Sequence, residues 1–268
     1  MGFRMNRRFV VAALSLTLSA AHAAEKIRLI AHRGGAMESD ENTLAAFTDA
    51  YAKGLRAFET DVRLTKDGEL VLLNDDSVNR TTSGYGPVEQ MTADQVKALH
   101  TRRTNTAVPF LKDLLAAFKD KTGVFFQFEI KPGSGPIYDE RLEQFARALT
   151  NLTTQSLARA SYCYASSDRR MLAAVRRVDP EASLTFIFTQ APDAKFLPIV
   201  KSLGCDRICV MPGKTPRSFV EAAKQAGLSL SGLSVRTDEE LSQAQALGFD
   251  SVLSDCPRRM LAEGLGQP

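Results

Sequence analysis

Short apolar runs alternate along this chain with stretches whose apolar positions recur every three to four residues. Eight runs read as strands, at 27–31, 57–61, 124–130, 160–164, 184–188, 207–210, 229–235 and 251–253. The stretches 43–53, 137–149, 168–177, 217–225 and 239–246 carry a helical stripe. Gly54, Gly227 and Gly248 follow three helical stretches, where a left-handed glycine closes the last turn. Strands that alternate with helices pair in parallel, because each crossover returns the chain to the same end of the sheet. Eight such units in one chain of this length predict a closed (β/α)8 TIM barrel, with an open doubly wound sheet as the alternative.

One segment interrupts the alternation. Asp67-Gly68 stands between the apolar runs 62–64 and 70–73, which is a hairpin signal. Residues 63–122 therefore read as an insertion leaving the barrel after the second strand. It holds the hairpin, a turn around Gly84 and Gly86, and two short helices near 93–99 and 111–119.

Composition adds a leader. Arg4, Arg7 and Arg8 precede an apolar run over 9–20, and Ala21-His22-Ala23 has the small-x-small form of a cleavage site. The run is too short to span a bilayer comfortably, so residues 1–23 are expected to be a signal peptide and 24–268 an exported domain, most naturally in a periplasm. An uncleaved anchor is the other reading. The whole chain has 34 Lys and Arg against 31 Asp and Glu, and the excess of three lies in the leader. The remainder is neutral, which gives no electrostatic reason to expect nucleic acid or an anionic membrane as partner. The spacing of Cys163, Cys205, Cys209 and Cys256 fits no zinc motif, and they are expected to be buried free thiols, with a pairing through Cys205 left open.

Barrel enzymes keep their chemistry at the C-terminal ends of the strands. Here the first strand ends in His32-Arg33, the second in Glu59-Thr60-Asp61 and the third in Glu129-Ile130-Lys131. Side chains two apart on a strand share a face. Glu59, Asp61 and Glu129 can therefore converge, and three carboxylates at one point call for a cation. An all-oxygen set suits Ca²⁺ or Mg²⁺. Arg33 and Lys131 add fixed positive charge suited to a phosphate, and His32 can move a proton. Taken singly, each has a plainer reading, as a structural His, a solvated strand end or a simple ion pair.

Ala31-His32-Arg33-Gly34, Glu41-Asn42-Thr43, Glu59-Thr60-Asp61-Val62, Thr65-Lys66-Asp67-Gly68 and Arg80-Thr81-Thr82 resemble the glycerophosphodiester phosphodiesterase family. So do Glu129-Ile130-Lys131, Gly248-Phe249-Asp250 and Ser254-Asp255-Cys256-Pro257. The resemblance is dense over 30–87 and thinner beyond. It implies a TIM barrel with an insertion after the second strand, and hydrolysis of small-molecule glycerophosphodiesters to glycerol 3-phosphate and an alcohol. It implies a divalent metal on Glu59, Asp61 and Glu129, acid/base work by His32, and phosphate binding by Arg33 and Lys131.

One departure bears on activity. The family carries a second catalytic His just after the hairpin, and Asn74 stands there in this chain. An amide can hold a hydrogen bond but cannot give a proton and take it back. His100 is a distant candidate to replace it, and Asp75 or Asp76 could act only with raised pKa values. Near 233–236, where the family often has a Trp, this chain has Leu233-Ser234-Val235-Arg236 and no Trp anywhere. Three readings stay open: a working phosphodiesterase, a phosphodiester-binding protein on the same fold, and an unrelated barrel metalloenzyme.

Overall fold

The computed structural model describes residues 26–133 and 136–268. The leader at 1–23 lies outside the described residues. In chain order the elements are β1 (Arg28–His32), α1 (Leu44–Ala52), β2 (Ala57–Leu64), β3 (Leu70–Leu72), α2 (Ala93–Lys97), α3 (Leu111–Phe118) and β4 (Phe125–Ile130). There follow α4 (Pro136–Glu140), α5 (Leu142–Ser156), β5 (Tyr162–Ser166), α6 (Arg169–Val178), β6 (Leu184–Ile187), α7 (Leu197–Ser202) and β7 (Arg207–Val210). The chain ends with α8 (Arg217–Gln225), β8 (Ser229–Val235), α9 (Asp238–Leu247), β9 (Ser251–Ser254) and α10 (Pro257–Ala262).

Eight parallel strands close on themselves in the order β1-β9-β8-β7-β6-β5-β4-β2, with β2 bonded back to β1. This is the TIM barrel expected, and the open-sheet alternative is excluded. The pleat sorts the side chains into two layers. Ile30, Ala57, Phe125, Cys163, Ile187, Cys209 and Leu253 fill the inside of the barrel. The alternate positions, such as Leu29, Phe58, Phe126 and Phe128, pack outward against the helices. Phe58, Phe118 and Phe126 meet there with ring centroids 5.1–5.3 Å apart.

The same alternation decides where the polar residues go. On β2, Phe58 and Val62 point to the helix layer, so Ala57, Glu59 and Asp61 point inward. On β4, Phe126, Phe128 and Ile130 point outward and leave Gln127 and Glu129 inward. Lateral pairing then sets His32 beside Glu59 and Asp61 beside Glu129.

The insertion leaves as expected, although β2 first runs on to Leu64 to pair antiparallel with β3, the extra strand of the sheet. The turn between them uses Gly68 at φ +93°. Val78, Val88, Val96 and Phe110 give the insertion a small apolar cluster of its own. Helices α2 and α3 form where the pattern put them. Two further elements differ from the sequence pattern by more than a residue at a barrel position. The strand expected at 160–164 lies at Tyr162–Ser166, after a single 3-10 turn over Arg159–Ser161. The helix expected at 137–149 is two, broken at Arg141, and the second runs on to Ser156. Its last turns contain Thr150, Thr153 and Thr154, poor helix formers by propensity, whose hydroxyls donate to the carbonyls four residues back.

The four cysteines are free and buried. No helix among the described residues is long and apolar enough to cross a membrane.

Candidate active site

The C-terminal mouth of the barrel gathers the strand-end residues that the pattern singled out. Strand β1 ends in a turn in which Arg33, Gly34 and Gly35 all have positive φ, at 54°, 79° and 98°. Gly34 is needed there, because a Cβ would lie 2.7 Å from that of Ala46. The turn leaves His32 3% exposed and brings the Arg33 amide to Glu59, whose Oε2 accepts it at 3.1 Å.

Glu59, Asp61 and Glu129 are 0%, 0% and 5% exposed, and one oxygen of each lies within 4.8 Å of the other two. Two cations face them. Arg33 Nε lies 3.1 Å from Asp61, and Lys131 Nζ lies 2.6 Å from Glu129 and 3.4 Å from Asp61. Burial, with repulsion from Asp61 and Glu129 behind it, holds the Glu59 carboxyl well above the usual carboxylate range. Burial pushes Asp61 the same way, but Lys131 and Arg33, with the hydrogen bond from Asn42, outweigh it and hold its carboxyl below its ordinary value. Burial alone would lower the Lys131 ammonium, and Asp61 and Glu129 reverse that to raise it.

The cluster is one cation short. Three carboxylates face two positive side chains; the buried oxygen Glu59 Oε1 accepts no hydrogen bond, and Asp61 Oδ1 has only the Lys131 ammonium, at 3.4 Å. Buried oxygens are costly unless paired, and a hard divalent cation satisfies several at once. The donor set therefore fits a divalent metal held by Glu59, Asp61 and Glu129.

Asn42 supports the cluster from α1's entry turn. Its amide donates to Asp61 Oδ2 at 2.8 Å, and its carbonyl oxygen accepts from Thr60 at 2.9 Å. His32 is flanked on both sides. Its Nδ1 is hydrogen-bonded to Asp255 Oδ1, and its Nε2 lies 3.7 Å from Glu59 Oε2.

Asn74 lies after β3 on the insertion side of the mouth. Arg63 fixes its backbone, donating twice to the carbonyl at 3.0 and 2.7 Å. Its side-chain amide donates to Asp75 Oδ1 at 2.7 Å, and its own buried oxygen accepts nothing. Arg80 binds both Asp75 and Glu41, and Glu41 in turn binds Arg33. Asn74 is thus linked through Asp75, Arg80 and Glu41 to Arg33. His100 sits exposed in the insertion, where Ser83 Oγ accepts from its backbone amide, and it takes no part in this network. Hydrogen bonding to Arg80 outweighs burial and lowers the Asp75 carboxyl, which removes Asp75 as a raised-pKa acid.

Sequence reasoning assigned no role to Asp255, Asn42, Glu41, Arg80 or Arg236. Asp255 carried the same signal as the others, being a polar residue directly after a barrel strand. Glu41 and Arg80 lie on loops 39 residues apart, and nothing in their spacing shows that they meet.

Comparison with known proteins places the chain in a family and finds its fold among solved structures. A model of the glycerophosphoryl diester phosphodiesterase family matches residues 32–259. A glycerophosphodiester phosphodiesterase of Caldanaerobacter subterraneus is 26% identical over 246 residues, covering 88% of this chain and 97% of its own. The mouse glycerophosphodiester phosphodiesterase 1 is 42% identical over a shorter stretch of 76 residues. The structure of an Oleispira antarctica phosphodiesterase, in complex with the product sn-glycerol-3-phosphate, shares the fold with a TM-score of 0.80 at 22% identity, over 88% of this chain and 96% of that one. The match covers the buried acids, His32, Arg33, Lys131 and the last strand alike, and the chain belongs to the glycerophosphoryl diester phosphodiesterase family.

Proposed function

We propose that this protein hydrolyses glycerophosphodiesters to glycerol 3-phosphate and an alcohol, using a divalent cation held by Glu59, Asp61 and Glu129. The observation that carries the reading is the cation-deficient acid cluster with an oriented imidazole and two positive side chains at its edge. Family membership and the product bound to the Oleispira relative support it.

A Ca²⁺ or Mg²⁺ ion bound there would neutralise phosphoryl charge and lower the pKa of a bound oxygen nucleophile. Arg33 and Lys131 bind the phosphodiester oxygens and hold the scissile bond at the mouth of the barrel. His32 carries the proton, taking it at Nε2 from the attacking oxygen and returning it from Nε2 to the departing alkoxide, so that the imidazole ends the cycle as it began. Asn74 supplies a hydrogen bond to the substrate side of the site and moves no proton. Turnover should therefore be slower than with two imidazoles, since one positioned acid or base is typically worth about 10²–10⁴ in rate.

Binding without turnover is the second reading, and Asn74 is the observation in its favour. The two separate in one assay. Release of glycerol 3-phosphate from glycerophosphocholine or glycerophosphoethanolamine, restored by Ca²⁺ or Mg²⁺ after chelation, supports hydrolysis. Tight metal-dependent binding of the same diesters with no product supports the binding protein. Export to a periplasm is part of the proposal and rests on the leader pattern of residues 1–23.

A further inference from the structure

We propose that Asp255 is a positioning residue, which keeps the His32 imidazole protonated at Nδ1 with Nε2 aimed at the acid cluster, and that Arg236 locks Asp255 in that task. The proposal rests on the proton-transfer role of His32 given above.

His32 ends the first strand of the barrel and Asp255 directly follows the last, 223 residues on, and they meet just beyond the β1–β9 pairing. Both are 3% exposed. A neutral imidazole nitrogen that faces a carboxylate oxygen is the one carrying hydrogen, so the other nitrogen keeps its lone pair. Here that other nitrogen is Nε2, on the side of Glu59.

Asp255 is itself held on every side. Its backbone amide donates to Val235 O at 3.1 Å, and its carbonyl accepts from Met37 at 2.9 Å. Its second carboxylate oxygen accepts from Arg236 Nε at 2.6 Å. Arg236 reaches it because β8 breaks register with β9 between Gly232 and Val235, where Ser234 takes φ +55°. A non-glycine residue held in that region at a site is a sign that the surroundings fix the backbone. The bulged end is then tied down twice more. The Arg236 amide donates to Glu240 Oε2 at 2.7 Å, and its carbonyl accepts from the Cys256 thiol at 3.0 Å.

The arrangement gives the segment 233–236 a function that its lack of Trp left unexplained. With Asn74 unable to move a proton, the single imidazole at the mouth has to give and take in one cycle. A ring that flips, or that visits the other tautomer, would present N–H where a lone pair is needed. The Asp255–Arg236 pair removes that freedom, and Arg236 closes its outer edge while its own side chain stays 58% exposed to solvent.

The test reads the ring directly. In protein labelled with ¹⁵N-histidine, long-range proton–nitrogen spectra with Mg²⁺ present should show the His32 proton on Nδ1. Asp255→Ala should move the proton to Nε2 or put it in exchange, and Asp255→Asn, whose single oxygen is claimed by the Arg236 donor so that its NH2 turns to Nδ1, should place the proton on Nε2. In parallel, Asp255→Ala should lower kcat by roughly 10²-fold, within the usual share of one acid/base group, with KM changed less than about threefold. Arg236→Met should lower kcat by a smaller factor, roughly three- to tenfold, with the same tautomer mostly retained. A proton on Nε2 in the parent protein, or His32 nitrogen shifts unchanged in Asp255→Ala, overturns the proposal. His32→Ala is the separate control: turnover that survives it refutes the proton-transfer role, whereas the spectra decide the positioning claim by themselves.

Discussion

Replacing Glu59 by Gln tests the metal centre through stability alone. In the parent, three carboxylates with oxygens within 4.8 Å share two cations. At an effective dielectric of about 20, a unit-charge pair at that separation is worth roughly 3 kcal/mol. The repulsion is relieved in the metal-free protein by holding Glu59 protonated more readily than usual, which is the direction of its shift. Glu59→Gln keeps the shape and an acceptor for Arg33, so the metal-free variant should be as stable as the parent or slightly more so. The response to metal should differ sharply. A cation at about 100 times its dissociation constant adds roughly 2.7 kcal/mol to the parent. For a chain of this size that is a rise in Tm of about 5–10 °C, at roughly 2–4 °C per kcal/mol. The variant should gain less than about 1 °C in the same titration. Thermal melts after chelation, with Ca²⁺ and Mg²⁺ added back, give both numbers. An undiminished rise in Glu59→Gln would mean that the metal binds elsewhere, and the site as described would fall.

Other outcomes follow from single contacts. Asn74→His should raise kcat by roughly ten- to hundredfold if the missing acid limits turnover, and an unchanged rate in a folded variant would show that it does not. Gly34→Ala should cost at least about 2 kcal/mol in urea unfolding, because φ +79° and a Cβ 2.7 Å from Ala46 must both be accommodated. A loss under about 0.5 kcal/mol would contradict the close approach. The thiols should resist a labelling reagent in the folded protein at neutral pH, since all four are buried and burial pushes Cys163 up to about 11 and Cys205 up to about 12. Fast labelling of any one would show that its strand opens.

The fold was legible because its signals are local. A period of two places Glu59 and Asp61 on the face opposite Phe58, and Asp67-Gly68 marks the hairpin. The acids, His32, Arg33 and Lys131 were readable for the same reason, each lying at the end of an apolar run. Helix α5 was read short because Thr150, Thr153 and Thr154 look unhelical until their hydroxyls find the carbonyls behind them. The ties that tune the site were not readable. Asp255 meets His32 only because a barrel returns its last strand to its first, and Arg236 meets Asp255 only through a bulge in β8. Arg80 bridges Glu41 and Asp75 across two loops whose approach is set by the insertion's own packing.

On the proposed function, one imidazole beside a metal-ready acid cluster suffices for turnover. Phosphorus NMR of glycerophosphoethanolamine incubated with the purified protein follows it without a coupling enzyme. The diester signal should be replaced by that of glycerol 3-phosphate, only with Ca²⁺ or Mg²⁺ present and not with His32→Ala. A diester signal that merely broadens or shifts with metal, with no monoester appearing over days, would contradict it and leave a binding protein on a phosphodiesterase fold.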